Sequence, residues 1–101
     1  MNITQSENIA VAVISFRLRA PWVRSLKEKR MIVRSLIAQL QNRFHVSAAE
    51  TGEQDVHQII SIGAAALVPH QAMADSLMEE ISRFVEENCD AEILEEHREL
   101  R

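Results

Sequence analysis

Two long runs of apolar residues constrain the fold more than any other feature of this chain. The first covers residues 8–19 (NIAVAVISFRLR) and the second covers residues 56–68 (VHQIISIGAAALV). Both carry apolar side chains at both parities over much of their length, which is typical of strands in the middle of a sheet. The sequence therefore predicts a β-sheet with these two strands at its centre.

A helix is predicted soon after the first strand. Pro21 ends the strand, and Ser25 followed three residues later by Glu28 forms a capping box, the signature of a helix start. Apolar residues then recur at three- and four-residue steps and give one stripe along about five helical turns. The stripe consists of Leu26, Val33, Leu36, Ile37, Leu40 and Phe44.

The remaining elements complete a regular order. A short strand is predicted over residues 45–50, and a second helix from Pro69, placed at its first position, to about Asn88. Residues 91–100 form a last strand that is so charged that it belongs at a sheet edge. The order βαββαβ predicts an α+β, ferredoxin-like fold, with a four-stranded antiparallel sheet and both helices on one face.

Size and composition fit a single domain over residues 8–101. The chain has 101 residues and is 47% apolar, which is enough for one hydrophobic core. Residues 1–7 (MNITQSE) are polar and unlike a secretory signal, so a disordered lead-in is expected there. Since Cys89 is the single cysteine and no apolar run is long enough for a bilayer, a soluble cytoplasmic protein without a membrane partner is expected.

Charge divides the chain into a basic and an acidic half. Residues 1–50 carry a net charge of +5 and residues 51–101 carry −9. Cations are densest in RSLKEKR, residues 24–30, although a helix start disfavours them. Amide groups and cations at a helix start together hold phosphate well, so the stretch predicts an anion-binding patch. The predicted contact residues are Arg24, Lys27, Arg30 and Arg34, with Arg17 and Arg19 assisting.

A structural interpretation of the same stretch carries equal weight. Glu28 partly neutralises the helix end, the stems of Lys29 and Arg30 cover apolar surface, and the acidic second helix pairs with the basic first one. Trp22, the single tryptophan, is interpreted as closing the end of the core, with stacking on a nucleobase as the alternative.

One face of the predicted sheet has no helix to cover it. Either parity of the first strand exposes apolar groups, which usually marks an interface, so self-association is expected unless the tail or long side chains cover this face. The two alternatives for the outward set are Ile9, Val11, Val13 and Ser15, or Ala10, Ala12, Ile14 and Phe16.

The sequence contains no motif that indicates catalysis. The four histidines are scattered without metal-ligand spacing, and RAPWVRS lacks the glycine of a phosphate-cradling loop. RNA-recognition domains of this fold stack bases on aromatics of the central strands, where this chain has only Phe16. We therefore expect a non-enzymatic protein with no catalytic residue, no cofactor and no metal.

Several short motifs make the chain resemble a known family. They are Ser25–Arg30 (SLKEKR), Asn42–Phe44, Val46–Ser47, Glu50 and Gln54–Asp55. On these residues the chain resembles the YlxP-like family, small bacterial proteins catalogued as a domain of unknown function. The resemblance implies a ferredoxin-like fold and no established reaction. It also implies a link to RNA or the ribosome, because the family's genes often lie beside those for ribosome maturation and translation initiation factors.

The leading hypothesis is a non-enzymatic accessory protein that contacts ribosomal RNA or ribosomal particles through the basic stretch. The first alternative is a protein-interaction module, either a homo-oligomer formed through the open sheet face or a partner of a basic protein. The second alternative is a small-molecule sensing domain.

Overall fold

The computed structural model describes residues 9–101, so the lead-in expected over residues 1–7 lies outside the described part. The elements follow the predicted βαββαβ order, and every strand pairing is antiparallel. The sheet has the order β2-β3-β1-β4, which places β1 and β3 at its centre and confirms the ferredoxin-like α+β prediction. The elements are β1 (Ala10–Arg19), α1 (Leu26–Phe44), β2 (Ser47–Gly52), β3 (Ile59–Val68), α2 (Gln71–Asn88) and β4 (Glu92–Leu100).

The two ends of α1 are set by specific backbone contacts. Ser25 is the N-cap, and its Oγ accepts a hydrogen bond from the amide of Glu28 at 3.1 Å. The last helical residue is Phe44, and the C-cap His45 adopts the left-handed conformation (φ 55°) and donates its amide to the carbonyl of Gln41. Because His45 caps the helix, β2 begins two residues later than predicted.

The start of α2 differs from the prediction. The helix begins at Gln71, and His70 is its N-cap, with the ring Nδ1 accepting a hydrogen bond from the amide of Met73 at 3.2 Å. Pro69 therefore precedes the cap and does not occupy the first helical position. The prediction was wrong because an imidazole nitrogen takes the capping role that serine, threonine or aspartate usually fills.

The core lies between the sheet and the two helices. Alternate residues of β1 and β3 turn toward the helices and are buried, among them Ile14, Phe16 and Ile62. Helix α1 lies against β2 and β3, whereas α2 lies against β1 and β4. Where the helices meet, the rings of Phe44 and Phe84 pack edge to face with centroids 5.6 Å apart.

In the described part of the chain, neither helix has the length and apolar character that a membrane crossing requires.

Candidate functional site

The structure divides the cations of the basic half by their surroundings. Lys29 is buried inside the fold, whereas Arg17 and Arg19 pair with carboxylates on the open face of the sheet. Arg43 near the end of α1 lies over the rings of Phe44 and Phe84. A further set, just before α1 and in its first half, is exposed to solvent. This set, called the basic patch below, consists of Arg24, Lys27, Arg30 and Arg34.

Lys29 of α1 anchors the loop between β2 and β3 from the helical side of the sheet. It is 1% exposed, and its Nζ donates to the backbone carbonyls of Glu53 and Val56 and lies 3.3 Å from Glu50 Oε2. Three partners match the three donors of an ammonium group, which makes its burial tolerable. The prediction that the Lys29 stem covers apolar surface missed this role. The spacing of Lys29, Val33, Leu36 and Leu40 could have indicated it, because it places Lys29 on the inward stripe.

Glu53 fixes the same loop from the open face of the sheet. Its carboxylate accepts hydrogen bonds from Arg17, with Nη2 to Oε1 at 2.8 Å, and from Ser61 Oγ at 2.8 Å. The hydrogen bonds from Arg17 first, and that from Ser61 second, lower the pKa of Glu53 to about 2. The same contact raises the pKa of Arg17.

Arg17 and Arg19 do not share a surface with the basic patch. Phe16 and Leu18 of β1 turn toward the helices, so the arginines between and after them turn toward the open face. Arg17 is held by Glu53, and Arg19 Nη1 lies 3.7 Å from Glu92 Oε2. The sheet therefore separates these two predicted contact residues from the other four.

The basic patch forms no ion pair within the described residues. Across residues 9–101, none of its four side chains has a carboxylate oxygen within 4.0 Å. The predicted pairing of the acidic α2 with the basic α1 is not found as an ion pair in this part of the chain. Instead, Glu79 of α2 pairs with Arg98 of β4 at 2.9 Å. Lys27, Arg30 and Arg34 recur at helical spacing, so they project from one side of α1.

A groove on one flank of α1 brings together residues that are far apart in the sequence. It has a volume of about 330 Å³ and lies between α1 and the loop that Lys29 anchors. Arg30, the last residue of the SLKEKR motif, thus lies around the same groove as Glu50 and Gln54–Asp55. The lining consists of Arg30, Val33, Arg34, Ile37, Glu50, Gln54 and Asp55.

A second groove, on the other flank of α1, contains Trp22. Its volume is about 360 Å³. Trp22 is 44% exposed, and the buried residues Ala20 and Val23 close the end of the core, so the prediction that Trp22 does so was wrong. The reason is local: the amide of Val23 donates to the carbonyl of Ala20, and the resulting turn points its central residues, Pro21 and Trp22, outward.

The open face of the sheet is apolar at one end and charged at the other. Val11 and Val13 of β1 lie on it, and Leu67 of β3 is 68% exposed. The outward set of β1 is thus the one that contains Val11 and Val13. The other end carries the Arg17–Glu53 pair and Glu95, which lies 3.9 Å from Arg17.

Among residues 9–101, no group of three or more His, Cys, Asp or Glu side chains is arranged to hold a metal ion.

Comparison with known proteins shows the family. Residues 11–98 match the family model described as "Protein of unknown function (DUF503)". The chain is also 34% identical over 62 residues to "Uncharacterized protein YlxP" of Bacillus subtilis (strain 168), a match that covers 61% of this chain and 67% of the relative. The family match spans α1 and both of its flanking loops. The chain therefore belongs to the DUF503 family, and within it to the YlxP-like proteins.

Proposed function

We propose that this protein is a non-enzymatic accessory protein that binds ribosomal RNA or ribosomal particles through the basic patch. The observation that supports it is the contrast among the arginines of a chain whose net charge is −4. In the described residues no side chain of the patch has a carboxylate partner within 4.0 Å, whereas four of the six arginines outside it have one. Those four are Arg17, Arg19, Arg98 and Arg101. The other two, Arg43 and Arg83, form no ion pair in this part of the chain either, but they line a groove together with Glu80 and Glu87.

The position of the patch adds to this contrast. Exposed cations at the helix start, here Arg24 and Lys27, each cost about 0.3–1 kcal/mol, because the helix dipole is positive there. A bound phosphate chain offsets that cost and is held by the same cations. RNA is preferred to other polyanions because the family resemblance implies genes that neighbour those of ribosome maturation and translation initiation.

The acidic helix directs how a polyanion approaches. Exposed carboxylates of α2, including Glu80, Glu86 and Glu87, lie in the same helical layer as the basic patch, and Glu80 and Glu87 line a groove with Arg43 near the end of α1. They repel phosphate, so RNA is expected to contact α1 and avoid α2. A protein of net negative charge then binds RNA in one orientation, which non-specific attraction alone does not produce.

Charge reversal tests the proposal. The triple variant Lys27→Glu, Arg30→Glu, Arg34→Glu is expected to lose co-sedimentation with ribosomal particles at low salt while remaining folded by circular dichroism. Two single variants with the same change in net charge test whether the position of the charge matters. Arg34→Glu on α1 is expected to weaken binding. Arg83→Glu, which replaces an exposed arginine on α2, is expected to leave binding unchanged. Unchanged co-sedimentation of the folded triple variant overturns the proposal.

Self-association through the open sheet face is the second candidate function. It is favoured by the apolar end of that face, where Leu67 is 68% exposed beside Val11 and Val13. A two-fold contact brings this surface against its copy and covers both. Sedimentation equilibrium is expected to give a dimer mass that Leu67→Glu converts to a monomer mass. A wild-type monomer at all concentrations rules this candidate out, together with any sensing pocket between subunits.

A further inference from the structure

We propose that the Trp22 groove binds an unpaired base of single-stranded RNA by stacking on the indole, while the basic patch holds the adjoining phosphates. This inference rests on the proposed function and specifies which form of RNA the surface takes. It assigns to Trp22 a contact that phosphate binding alone does not require.

Trp22 is the one phenylalanine or tryptophan side chain that the fold leaves open to solvent. All four residues of these two types lie in the described part of the chain. Phe16 and Phe84 are buried, and Phe44 packs partly buried against the core. An exposed indole is a stacking platform for any base, since every base has a flat apolar face.

The turn that carries Trp22 is held in place. The side-chain amide of Gln58 donates to the carbonyl of Pro21 at 3.1 Å, and the amide of Ala20 donates to the carbonyl of Gln58 at 2.8 Å. These bonds tie the turn to the start of β3. The indole is therefore presented by a fixed backbone, which lowers the entropy lost when a base stacks on it.

The groove adjoins the basic patch along α1. Met31, which is 63% exposed, lines the groove with Trp22. It lies four residues after Lys27 and three before Arg34, so it neighbours both on the helix surface. Arg24 follows Trp22 by two residues. A strand whose phosphates contact the patch therefore passes beside the groove.

The polar residues of the groove orient the ligand. Ser35, Gln39 and Asn88 line it. The amide of Gln39 donates one hydrogen bond to Ser35 and that of Asn88 donates one to the carbonyl of Phe84, so each amide keeps a second N–H and its oxygen for a base edge. Asp90 also lines the groove, and its carboxylate repels phosphate while accepting hydrogen bonds from amino groups of a base. The base is thus directed toward Asp90 and the phosphates toward α1.

The geometry favours an unpaired strand over a duplex. Bases inside a duplex are stacked on one another and cannot reach a side chain in a groove. The sheet face supplies no phenylalanine or tryptophan platform in the described residues, because Phe16 turns toward the helices and is 3% exposed. The base therefore stacks on the helical side of this protein.

The single tryptophan provides a direct readout. We expect a single-stranded adenine oligonucleotide to quench the intrinsic fluorescence of the whole chain saturably at low salt. Inorganic polyphosphate is expected to displace a dye-labelled oligonucleotide without comparable quenching, and duplex RNA of equal length is expected to quench far less. Equal quenching by all three ligands overturns the inference.

Substitution supplies a second readout, by anisotropy of the labelled oligonucleotide. Trp22→Ala is expected to weaken binding by roughly 5- to 150-fold, the range for one stacked base, and Trp22→Phe by less. Met73→Ala removes an exposed apolar side chain at the start of α2 and serves as the control with unchanged affinity.

The outcomes separate the inference from the proposed function. If Trp22→Ala and Trp22→Phe bind like wild type while the triple charge reversal abolishes binding, the base-stacking inference is wrong and the proposed function stands. If the triple variant also binds like wild type, or if wild type binds no RNA, both are wrong. Folding of each variant is checked by circular dichroism, and Trp22→Phe decides the case if Trp22→Ala fails to fold.

Discussion

At the scale of the residue, Glu53 connects the two faces of the sheet. Its carbonyl accepts from buried Lys29 on the helical side, and its carboxylate accepts from Arg17 and Ser61 on the open side. Glu53 also adopts the left-handed conformation (φ 53°), which costs a non-glycine residue about 1–2 kcal/mol. The hydrogen bonds to Glu53 offset that cost and hold the loop that borders the basic patch.

The first prediction concerns the acid sensitivity of this contact. The folded protein lowers the pKa of the Glu53 carboxyl to about 2 from its ordinary value of 4.5. The ionised carboxylate therefore contributes its full stabilisation above its ordinary pKa, and this contribution is lost as the pH falls toward about 2. We expect the free energy of unfolding, measured in urea, to fall less between pH 5 and pH 2 for Glu53→Gln than for wild type. The control is Glu87→Gln, an exposed position on α2. Parallel pH profiles for the two variants contradict the prediction.

The second prediction concerns Lys29. The substitution Lys29→Met keeps the volume but removes the ammonium, which leaves Glu50 and two carbonyls without their donor. Removing one partner of a buried ion pair costs about 3–5 kcal/mol. We expect a loss of that size in urea unfolding, against less than about 0.5 kcal/mol for Lys27→Met at an exposed position of the same helix. Similar unfolding midpoints for both variants contradict the buried role of Lys29.

At the scale of the element, apolar patterns explain why the helices and strands were predictable. The apolar steps of α1 follow directly from burial on one side, and the runs of apolar residues at both parities indicated that β1 and β3 are central strands. Which alternate residues of these strands are buried was not predictable, because the open face also carries apolar side chains such as Val11 and Val13. The cap at His70 was not predictable, because it depends on a ring rotamer and not on a favoured residue type. The partners of Arg17 were not predictable either, because Glu53 lies 36 residues away and meets it only after the sheet assembles.

The third prediction concerns the end of α1. His45 occupies the left-handed position that glycine fills without steric cost. We expect His45→Gly to stabilise the protein by about 0.5–1 kcal/mol, since relief of the backbone cost exceeds the added entropy of the unfolded chain. Ala38→Gly, in the exposed middle of α1, is the control and is expected to destabilise by about 1 kcal/mol. Equal destabilisation by both substitutions, measured by urea unfolding, contradicts the assignment of His45 to a left-handed C-cap position.

At the scale of the whole molecule, charge is arranged as a gradient across one layer. Helix α1 presents the basic patch, α2 presents carboxylates, and the sheet behind them keeps Arg17 and Arg19 in ion pairs. The sequence indicated the basic and acidic halves and the members of the patch on α1. It did not indicate which cations the fold neutralises, because that depends on which side of the sheet each side chain takes.

The salt dependence of binding tests the central claim most directly. Each phosphate contact to a single strand contributes about −0.7 to the slope of log binding constant against log salt concentration, so four contacts predict a wild-type slope of about −3. The triple variant Lys27→Glu, Arg30→Glu, Arg34→Glu is expected to give a slope no steeper than about −1, whereas Arg83→Glu keeps the wild-type slope. A slope near zero for wild type, or the same slope for wild type and the folded triple variant, contradicts the claim that the basic patch binds RNA phosphates.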